Sequence, residues 1–354
     1  MLDKLNCICH NIIMKAWKVV SKEEMILNEI KSKPLGEGQV KVKLNYSLIT
    51  HSDILAFESE QTEPKGIGRL GVGMISETHE SVTSFSRGDR VLISPYFVCK
   101  DCFECNNDNE HLCSNLKVLS ENTDGVLSDF VNLSERQLVR LPENVSDNDA
   151  VFIEYIAHAL NVFAKLKVKK GEHIVIVGAN CEGIICAQLA LYYQAVPILI
   201  DPRAERLKKA SEDGVYYAIN SVEDNVSAKI LKSTGGRMAE YAIITSYHDA
   251  HFLRVLKYVQ RGARCVFGSV GKSEEGGDVN IPSKNFNVII EKSLSIHGVP
   301  DGFRSLVSAI NLLANKSVNV KGIITKETTF QEVDKTIEEL RETQDRFVGA
   351  VVKY

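Results

Sequence analysis

The stretch HIVIVGANCEGIICAQLALYYQAVPILID, residues 173–201, carries the strongest fold signal in the chain. A β-branched apolar run ends at Gly178, a segment with helical spacing follows, and a second apolar run ends at Asp201. Apolar strands that alternate with helices are typical of right-handed βαβ units, whose strands form a parallel sheet with both faces covered. Because the alternation continues to about residue 296, we predict a doubly wound α/β domain of the Rossmann type over residues 151–296.

The loop GANCEG, residues 178–183, joins the first strand to its helix. In a dinucleotide-binding loop of the form GxGxxG, the middle glycine leaves room for the pyrophosphate and the last one lets the helix pack on the strand. Here Asn180 stands at the middle position, where its side chain crowds the phosphate oxygens, and we expect the carboxylate of Glu182 to repel them. The pattern leaves open an α/β domain that no longer binds a dinucleotide.

Asp201 restores part of the dinucleotide signal. It ends the second strand, 23 residues after Gly178, where an acidic side chain accepts hydrogen bonds from the ribose hydroxyls. A carboxylate at this position also repels a 2′-phosphate, which favours NAD over NADP. We predict that NAD(H) is bound by residues of this loop and of the segment after the second strand: Gly178, Asn180, Gly183, Asp201 and Arg206.

The composition restricts the class of protein. With 354 residues the chain is long enough for about two domains, and its 25% charged and 44% hydrophobic residues are ordinary for a globular protein. A net charge of −4 argues against a nucleic-acid partner, because no basic surface is available to neutralise phosphates. No apolar run approaches the ~20 residues that span a bilayer, and the first residues lack the pattern of a signal peptide. We expect a cytoplasmic protein without a membrane partner.

The residues before the α/β segment have a different sequence pattern. Up to about Arg140 the chain consists of short β segments separated by turn residues, such as QVKVKLNYSLI, VGMISET and GDRVLIS. We therefore predict a β-rich domain over residues 1–150, completed by residues 297–354 after the chain leaves the α/β domain.

Four cysteines, Cys99, Cys102, Cys105 and Cys113, form the pattern C-x2-C-x2-C-x7-C. Four thiolates at this spacing are typical of one closed, tetrahedral zinc site. The alternatives are unrelated buried cysteines or the ligands of an iron–sulfur cluster. A four-sulfur shell leaves no open coordination position, so we predict one structural zinc that braces the lobe 99–113 and performs no chemistry. The five remaining cysteines, an odd number, fit a reducing compartment better than a disulfide framework.

Taken together, these elements resemble the zinc-containing medium-chain alcohol and polyol dehydrogenases, the group with sorbitol and threonine dehydrogenases. The resemblance covers nearly the whole chain and rests on the cysteine lobe and on five further segments: GDRV (88–91), DGVLSDFV (124–131), LP (141–142), KKGEHIVIVGA (169–179) and GARCVFGSVG (262–271). It implies a GroES-like catalytic domain, a Rossmann domain, a small alcohol or carbonyl substrate, a cofactor bound in the cleft between the domains, and usually a homodimer or homotetramer.

The chain departs from this family at the ligands of the catalytic zinc. The family's C-x-[ST]-D segment is THSD here, residues 50–53, so Thr50 replaces the ligand cysteine. The family's G-H-E segment is GRL, residues 68–70, so Arg69 replaces the ligand histidine; only Glu154 matches a family ligand. One carboxylate cannot hold zinc against water. We predict that the catalytic zinc is absent and that Arg69 pairs with Glu154; the alternatives are a solvent-facing Arg69, or a displaced metal site that uses His51.

The resemblance also suggests roles for individual residues. Ser52 occupies the position of a proton-relay hydroxyl, and with Arg69 and Glu154 it is a predicted catalytic residue, while the family's neighbour at His51 faces the cofactor phosphates. His158 is either a packed helix histidine or a pocket base. The leading hypothesis is an NAD(H)-linked oxidoreductase that lacks zinc at its active site. The alternatives are a degenerate member that acts as a binding or oligomeric scaffold, and a zinc-dependent dehydrogenase with a rearranged metal site.

Overall fold

The computed structural model describes residues 13–245, 254–267, 283–299, 302, 304–323, 326–342 and 349–354. The chain divides into two compact units. The first comprises Met1–Val151 and Lys326–Tyr354, and the second comprises Phe152–Thr325.

The first unit is rich in β structure, as predicted. The described residues of its N-terminal part form ten strands: β1 (Ile13–Ser21), β2 (Glu24–Lys31), β3 (Gln39–Ile49), β4 (Lys65–Gly66), β5 (Leu70–Thr78), β6 (Arg90–Ile93), β7 (Tyr96–Phe97), β8 (Lys117–Val118), β9 (Phe130–Ser134) and β10 (Leu138–Arg140). Three short helices lie between or after these strands: α1 (His51–Glu58), α2 (Phe103–Asn106) and α3 (Asp147–Ala150). In the C-terminal part, residues 326–342 and 349–354 add two strands and one helix: β17 (Lys326–Thr329), α10 (Val333–Glu342) and β18 (Ala350–Lys353).

The C-terminal strand completes the main sheet of this unit. The strand order is β10-β6-β5-β3-β18-β17, with β9 also paired to β3, and β18 runs antiparallel to β3. In β3 the alternating residues Val40, Val42 and Leu44 are buried, as period-two alternation predicts for a sheet with one face on the core. Trp17 Nε1 donates a hydrogen bond to Phe330 O at 2.7 Å, so the C-terminal segment contributes to the same core.

The second unit is a parallel α/β domain. Its strands are β11 (His173–Val177), β12 (Val196–Asp201), β13 (Tyr217–Asn220), β14 (Ala239–Ile244), β15 (Val259–Phe267) and β16 (Ser295–Gly298). The helices among its described residues are α4 (Ile153–Leu166), α5 (Cys181–Tyr192), α6 (Ala204–Glu212), α7 (Val226–Ser233), α8 (Ser283–Lys292) and α9 (Leu306–Ala314). All strand pairs are parallel, in the order β13-β12-β11-β14-β15-β16. This order confirms the predicted doubly wound Rossmann fold.

The C-terminal boundary of the second unit differs from the predicted one. The prediction assigns everything after residue 296 to the first domain, whereas α9 and its flanks belong to the second unit. The physical reason is packing on α4 and α5: Ser305 Oγ donates to Asn161 Oδ1 at 2.7 Å, and Asn319 N donates to Gln188 Oε1 at 2.7 Å. The apolar face of α9 is buried in the same unit. The return to the first unit therefore begins at Lys326.

Across the ranges given above, no helix has both the length and the apolar character needed to cross a membrane.

Candidate active site and zinc lobe

The four cysteines of the lobe converge as predicted. Their Sγ atoms all lie within 4.8 Å of one another. The Sγ–Sγ distance is 3.5 Å for Cys99–Cys113, 3.9 Å for Cys102–Cys113 and 4.0 Å for Cys99–Cys105. Four sulfurs at about 2.3 Å from one tetrahedral zinc are about 3.8 Å apart, so the donor set fits zinc in number, chemistry and spacing. Among the described residues, this is the only group of three or more metal-ligating side chains placed to share an ion.

The electrostatics of the lobe favour a bound cation. Backbone hydrogen bonds from Cys105 and Ser114 lower the pKa of the Cys102 thiol to about 6. Burial raises the pKa of the Cys105 thiol to about 12. Four thiolates this close together repel one another, and a divalent ion is the group that allows all four to ionise.

Thr50 is the N-cap of α1 and is bonded to Asp53 in the first turn of that helix. Its backbone N–H and its hydroxyl both donate to Asp53 Oδ2 at 2.8 Å. The other oxygen of Asp53 accepts from Gly68 N at 2.8 Å, which ties the start of α1 to the turn before Arg69. Thr50 stands at the position of the family's cysteine ligand and offers a hydroxyl instead of a thiolate. That hydroxyl donates its proton to the Asp53 carboxylate.

Asp53 is fully buried in this arrangement. Burial raises the pKa of its carboxyl group, while the hydrogen bonds from Thr50 and Gly68 and the charge of Arg69 act in the opposite direction. The residue is therefore a structural anchor for both positions at which the chain departs from the family's ligands.

Arg69 is largely buried, with 13% of its side chain exposed. Its Nη2 donates to Tyr96 OH at 2.6 Å, its Nη1 pairs with Glu121 Oε1, and its guanidinium lies 5.2 Å from the centroid of the Tyr96 ring. The alternative of a solvent-facing Arg69 is therefore wrong. Sequence reasoning missed Tyr96 and Glu121, because no motif links residues 27 and 52 positions from the arginine. The pairing of Arg69 with Glu154 stays a prediction.

Ser52 and His51 occupy the first turn of α1, where Ser52 is exposed and His51 half-buried. Glu154 lies in the first turn of α4 and is buried. Together with burial and Glu182, its charge raises the pKa of the Cys181 thiol, so Glu154 lies within electrostatic reach of the start of α5. The predicted roles of these three residues stay predictions.

The turn after β11 has the backbone of a dinucleotide-binding loop. Gly178 has a φ of 106°, which favours glycine, and its N–H donates to Ile200 O at 2.8 Å. A Cβ added to Gly183 would lie 1.8 Å from Gly178 O, so only glycine lets α5 approach the strand this closely. Both glycines therefore fit the roles that the sequence predicts for them.

Asp201 lies at the carboxyl end of β12 and orders the loop. Its Oδ2 accepts from Ala179 N at 2.8 Å, and its Oδ1 accepts from Arg203 N at 2.9 Å. The Nη1 atom of Arg206 is 4.0 Å from Oδ2. The side chain of Asp201 is 2% exposed, and Arg203 Nη1 lies 3.9 Å from Oδ1, so its contact with a ribose stays a prediction.

Asn180 has a structural role that the glycine pattern does not predict. It is the N-cap of α5: its Oδ1 accepts from Gly183 N at 2.9 Å, and its Nδ2 donates to Thr245 O at 2.7 Å. Both ends of the carboxamide are thus bonded within the second unit.

Glu182 pairs with a histidine of α4, and its predicted repulsion of phosphate stays a prediction. Its side chain is 4% exposed, and Oε1 lies 3.1 Å from Nδ1 of His158, which is 5% exposed. The two residues pair where α4 packs against α5. A residue two positions beyond an N-cap can turn into such a helix–helix contact, and no spacing rule in the sequence links it to His158. The pairing also places His158 as a packed helix histidine.

Comparison with known protein families gives matches in both units. Residues 36–143 match the family described as "Alcohol dehydrogenase GroES-like domain", and residues 183–315 match the family described as "Zinc-binding dehydrogenase". The first match confirms the predicted GroES-like character of the β-rich domain.

Similar proteins cover nearly the whole chain. A sorbitol dehydrogenase of Halalkalibacterium halodurans is 30% identical over 315 residues, which cover 85% of this chain and 88% of that protein. An uncharacterized zinc-type alcohol dehydrogenase-like protein of Haemophilus influenzae is 27% identical over 339 residues, which cover 95% of this chain and 97% of that protein. The crystal structure of an alcohol dehydrogenase from Escherichia coli CFT073, complexed with NADH, has a TM-score of 0.87 at 24% identity. The match covers 97% of this chain and 99% of that chain. At that identity the last match supports the fold alone.

Proposed function

The chain belongs to the family of zinc-type alcohol dehydrogenases, and from this premise we propose that it is an NAD(H)-linked oxidoreductase acting on a small alcohol or carbonyl substrate. In this proposal it holds one zinc in the cysteine lobe and none at the catalytic position. Ser52, Arg69 and Glu154 are the residues that we assign to its chemistry.

The observation that carries the proposal is the environment of Arg69. Its guanidinium is largely buried and held by Tyr96 OH and Glu121, which gives it a defined position within the first unit. An arginine is always charged and offers no lone pair to a metal. The hydroxyl of Thr50, which donates to Asp53, is also a poor zinc donor. These two positions therefore support chemistry by a fixed guanidinium in place of a metal.

Each assigned residue has a physically simple task. A guanidinium stabilises negative charge that develops on a substrate oxygen, although less strongly than a divalent ion does. The exposed hydroxyl of Ser52 can donate or accept a proton at that oxygen. Glu154, buried in the first turn of α4, offers a carboxyl group that can accept a hydrogen bond. When bound, the nicotinamide supplies the hydride.

The second unit supports NAD(H) as the cofactor. Gly178 and Gly183 have the backbone and the close approach that a dinucleotide loop needs, and Asp201 places a carboxylate at the carboxyl end of β12. Its carboxylate disfavours a 2′-phosphate, so NAD(H) is preferred to NADP(H). Arg206 lies beside the same carboxylate, where it can contact the ribose or a phosphate.

In the lobe, Cys99, Cys102, Cys105 and Cys113 would hold zinc, which would neutralise the thiolates and fix the loop between β7 and β8. This zinc takes no part in the reaction.

We further propose that the protein is a cytoplasmic homodimer or homotetramer. Within the part of the chain described, β16 has a neighbouring strand on one side only. Apolar side chains of β16 and of α8, which packs against β15, are exposed, with Ile296 38%, Ile290 76% and Phe286 52% exposed. An unpaired edge flanked by exposed apolar groups is a surface that a second copy can cover. The free buried thiols Cys181, Cys186 and Cys265 fit a reducing compartment.

The test combines metal analysis with an assay on the purified chain. We expect one zinc per chain and NADH-dependent reduction of at least one member of a panel of small aldehydes and ketones. Two zincs per chain, with activity lost when the second is removed, would support the rearranged zinc-dependent site instead. A chain that binds no NADH and turns over no substrate would support the scaffold alternative, which the position of Asn180 in the loop favours.

A further inference from the structure

The strand order of the second unit identifies where a ligand lies. In the order β13-β12-β11-β14-β15-β16 the connections reverse direction between β11 and β14. In open α/β sheets, ligands bind in the crevice outside the carboxyl ends of the two strands at such a switch point. Here the chain leaves β11 at the loop that contains Asn180, and it leaves β14 at Thr245.

The Asn180 carboxamide bridges this crevice. Its Nδ2 donates to Thr245 O at 2.7 Å, on the β14 side, while its Oδ1 accepts from Gly183 N at 2.9 Å, on the α5 side. Thr245 is fully buried, and its hydroxyl donates to Val177 O and Gly178 O, both at 3.1 Å. The bridge is therefore anchored on a rigid partner at each end.

The backbone does not require this side chain. Asn180 has φ −76° and ψ −176°, an extended conformation that any residue adopts. What a glycine contributes at this position is empty space and an α5 N-terminus whose N–H groups point at a phosphate. The asparagine fills the space, and its oxygen occupies the N–H of Gly183.

We propose that the Asn180 carboxamide, with its two hydrogen bonds, is an intramolecular latch over the pyrophosphate subsite and sets the affinity for the dinucleotide. This inference rests on the proposed NAD(H)-linked function. A pyrophosphate entering the crevice must displace the carboxamide and break both bonds. Removing the side chain removes this competition, so Asn180→Gly binds NADH about tenfold more tightly than the natural chain.

The test measures NADH affinity by fluorescence titration and by calorimetry, without turnover. Asn180→Gly removes both bonds. Asn180→Ser keeps a hydroxyl that can cap α5 but is too short to reach Thr245 O, so we expect an affinity between the other two. Asn225→Gly is the matched control, because Asn225 caps α7 through Ala228 N in the same unit and lies outside the crevice. Asn225→Gly should change the affinity for NADH by less than about twofold. It removes a helix cap of comparable strength but no group from the crevice.

The outcomes separate this inference from the function on which it rests. A natural chain that binds NADH measurably and an Asn180→Gly variant that binds it no more tightly would overturn the latch and leave the proposed function standing. If the natural chain binds none and the glycine variant binds, the latch is supported and NAD(H)-linked activity of the natural chain is rejected. If neither binds, both are overturned. Equal gains in the Asn180→Gly and Asn225→Gly variants would also overturn the latch, because a general loosening of the unit would then explain them.

Discussion

The cysteine lobe and the Thr50–Arg69 region belong to the same unit, but their partners lie at very different distances along the chain. The four sulfurs of the lobe come from residues 99–113 and fit one zinc by local spacing alone. Arg69 instead contacts Tyr96 and Glu121, which only the fold brings beside it. The difference teaches that a site made of neighbours in sequence can be predicted from spacing, whereas the partners of a residue such as Arg69 are set by the fold.

The largest effect on zinc content and stability should come from removing a ligand of the cysteine lobe. Cys105→Ser should reduce the zinc content from one atom per chain to essentially none and lower the midpoint of thermal unfolding, because the remaining thiolates lose the ion that holds them together. Elemental analysis and a circular dichroism melt measure both. As a control, Cys265→Ala removes a buried thiol from the other unit and should leave the zinc content at one. A full complement of zinc in Cys105→Ser would show that the lobe is not the site.

The contacts of Arg69 with distant residues should contribute less to the stability of the protein than the zinc lobe does. Arg69→Met keeps most of the volume but loses the hydrogen bond to Tyr96 OH and the charge over its ring, so we expect the free energy of unfolding to fall by about 2 kcal/mol. The ion pair with Glu121 adds little, since Glu121 is 55% exposed. Denaturant titration measures the change.

Arg140→Met is the matched control for that change. Arg140 also lies over an aromatic ring, 5.4 Å from the centroid of Phe85, and pairs with an acid, but its side chain is 58% exposed. Its loss should therefore cost no more than about 0.5 kcal/mol. Equal losses in the two variants would contradict the buried, fixed guanidinium on which the proposed chemistry depends.

The same contrast between near and distant partners explains what the sequence could predict. The βαβ order, both loop glycines and the zinc ligands depend on local periodicity and spacing, and each lies in the predicted place. The pair Glu182–His158 and the boundary at Lys326 depend on how α5 and α9 pack against α4. Apolar periodicity predicts that such helices pack, but not which polar residue meets which. For the same reason, Asn180 could be recognised as a departure from glycine, while its bond to Thr245 could not.

Asp53 bonds to Thr50, which is near in sequence, and to Gly68, which is farther away. Its carboxyl group should also make the stability of the protein depend on pH. Burial raises the pKa of its carboxyl group above the ordinary value of 3.8. Between that value and the raised one, the folded state holds a proton that the unfolded state has released, so this contribution to stability falls as the pH rises through the window. Asp53→Asn should abolish this slope and destabilise the protein by about 1 kcal/mol, because an amide cannot accept from both Thr50 and Gly68 as a carboxylate does.

Asp89 gives the opposite sign and serves as the comparison for Asp53. Hydrogen bonds from Ser86 and Arg140 lower the pKa of its carboxyl group below 3.8. Its contribution is therefore present above pH 3.8 and is lost as the pH falls through the lowered value. Unfolding free energies measured across this range should show that Asp53→Asn and Asp89→Asn remove slopes of opposite sign. Slopes of the same sign would contradict the burial assigned to Asp53.

The smallest effect on stability should come from the two helix caps. Within the described residues, the side chain of Asn225 bonds to Ala228 N, three residues away, whereas that of Asn180 bonds to Gly183 N and also to Thr245 O, 65 residues away. Replacing an asparagine cap by glycine costs only a few tenths of a kcal/mol, so Asn225→Gly should lower the free energy of unfolding by about 0.3 kcal/mol. Asn180→Gly should lower it by up to about 1 kcal/mol, because the bond to Thr245 is lost as well. Denaturant titrations of the apo proteins measure this difference, and a double variant should show additive losses, since the caps share no partner. Equal losses would mean that the long-range bond to Thr245 adds nothing to the stability of the folded state.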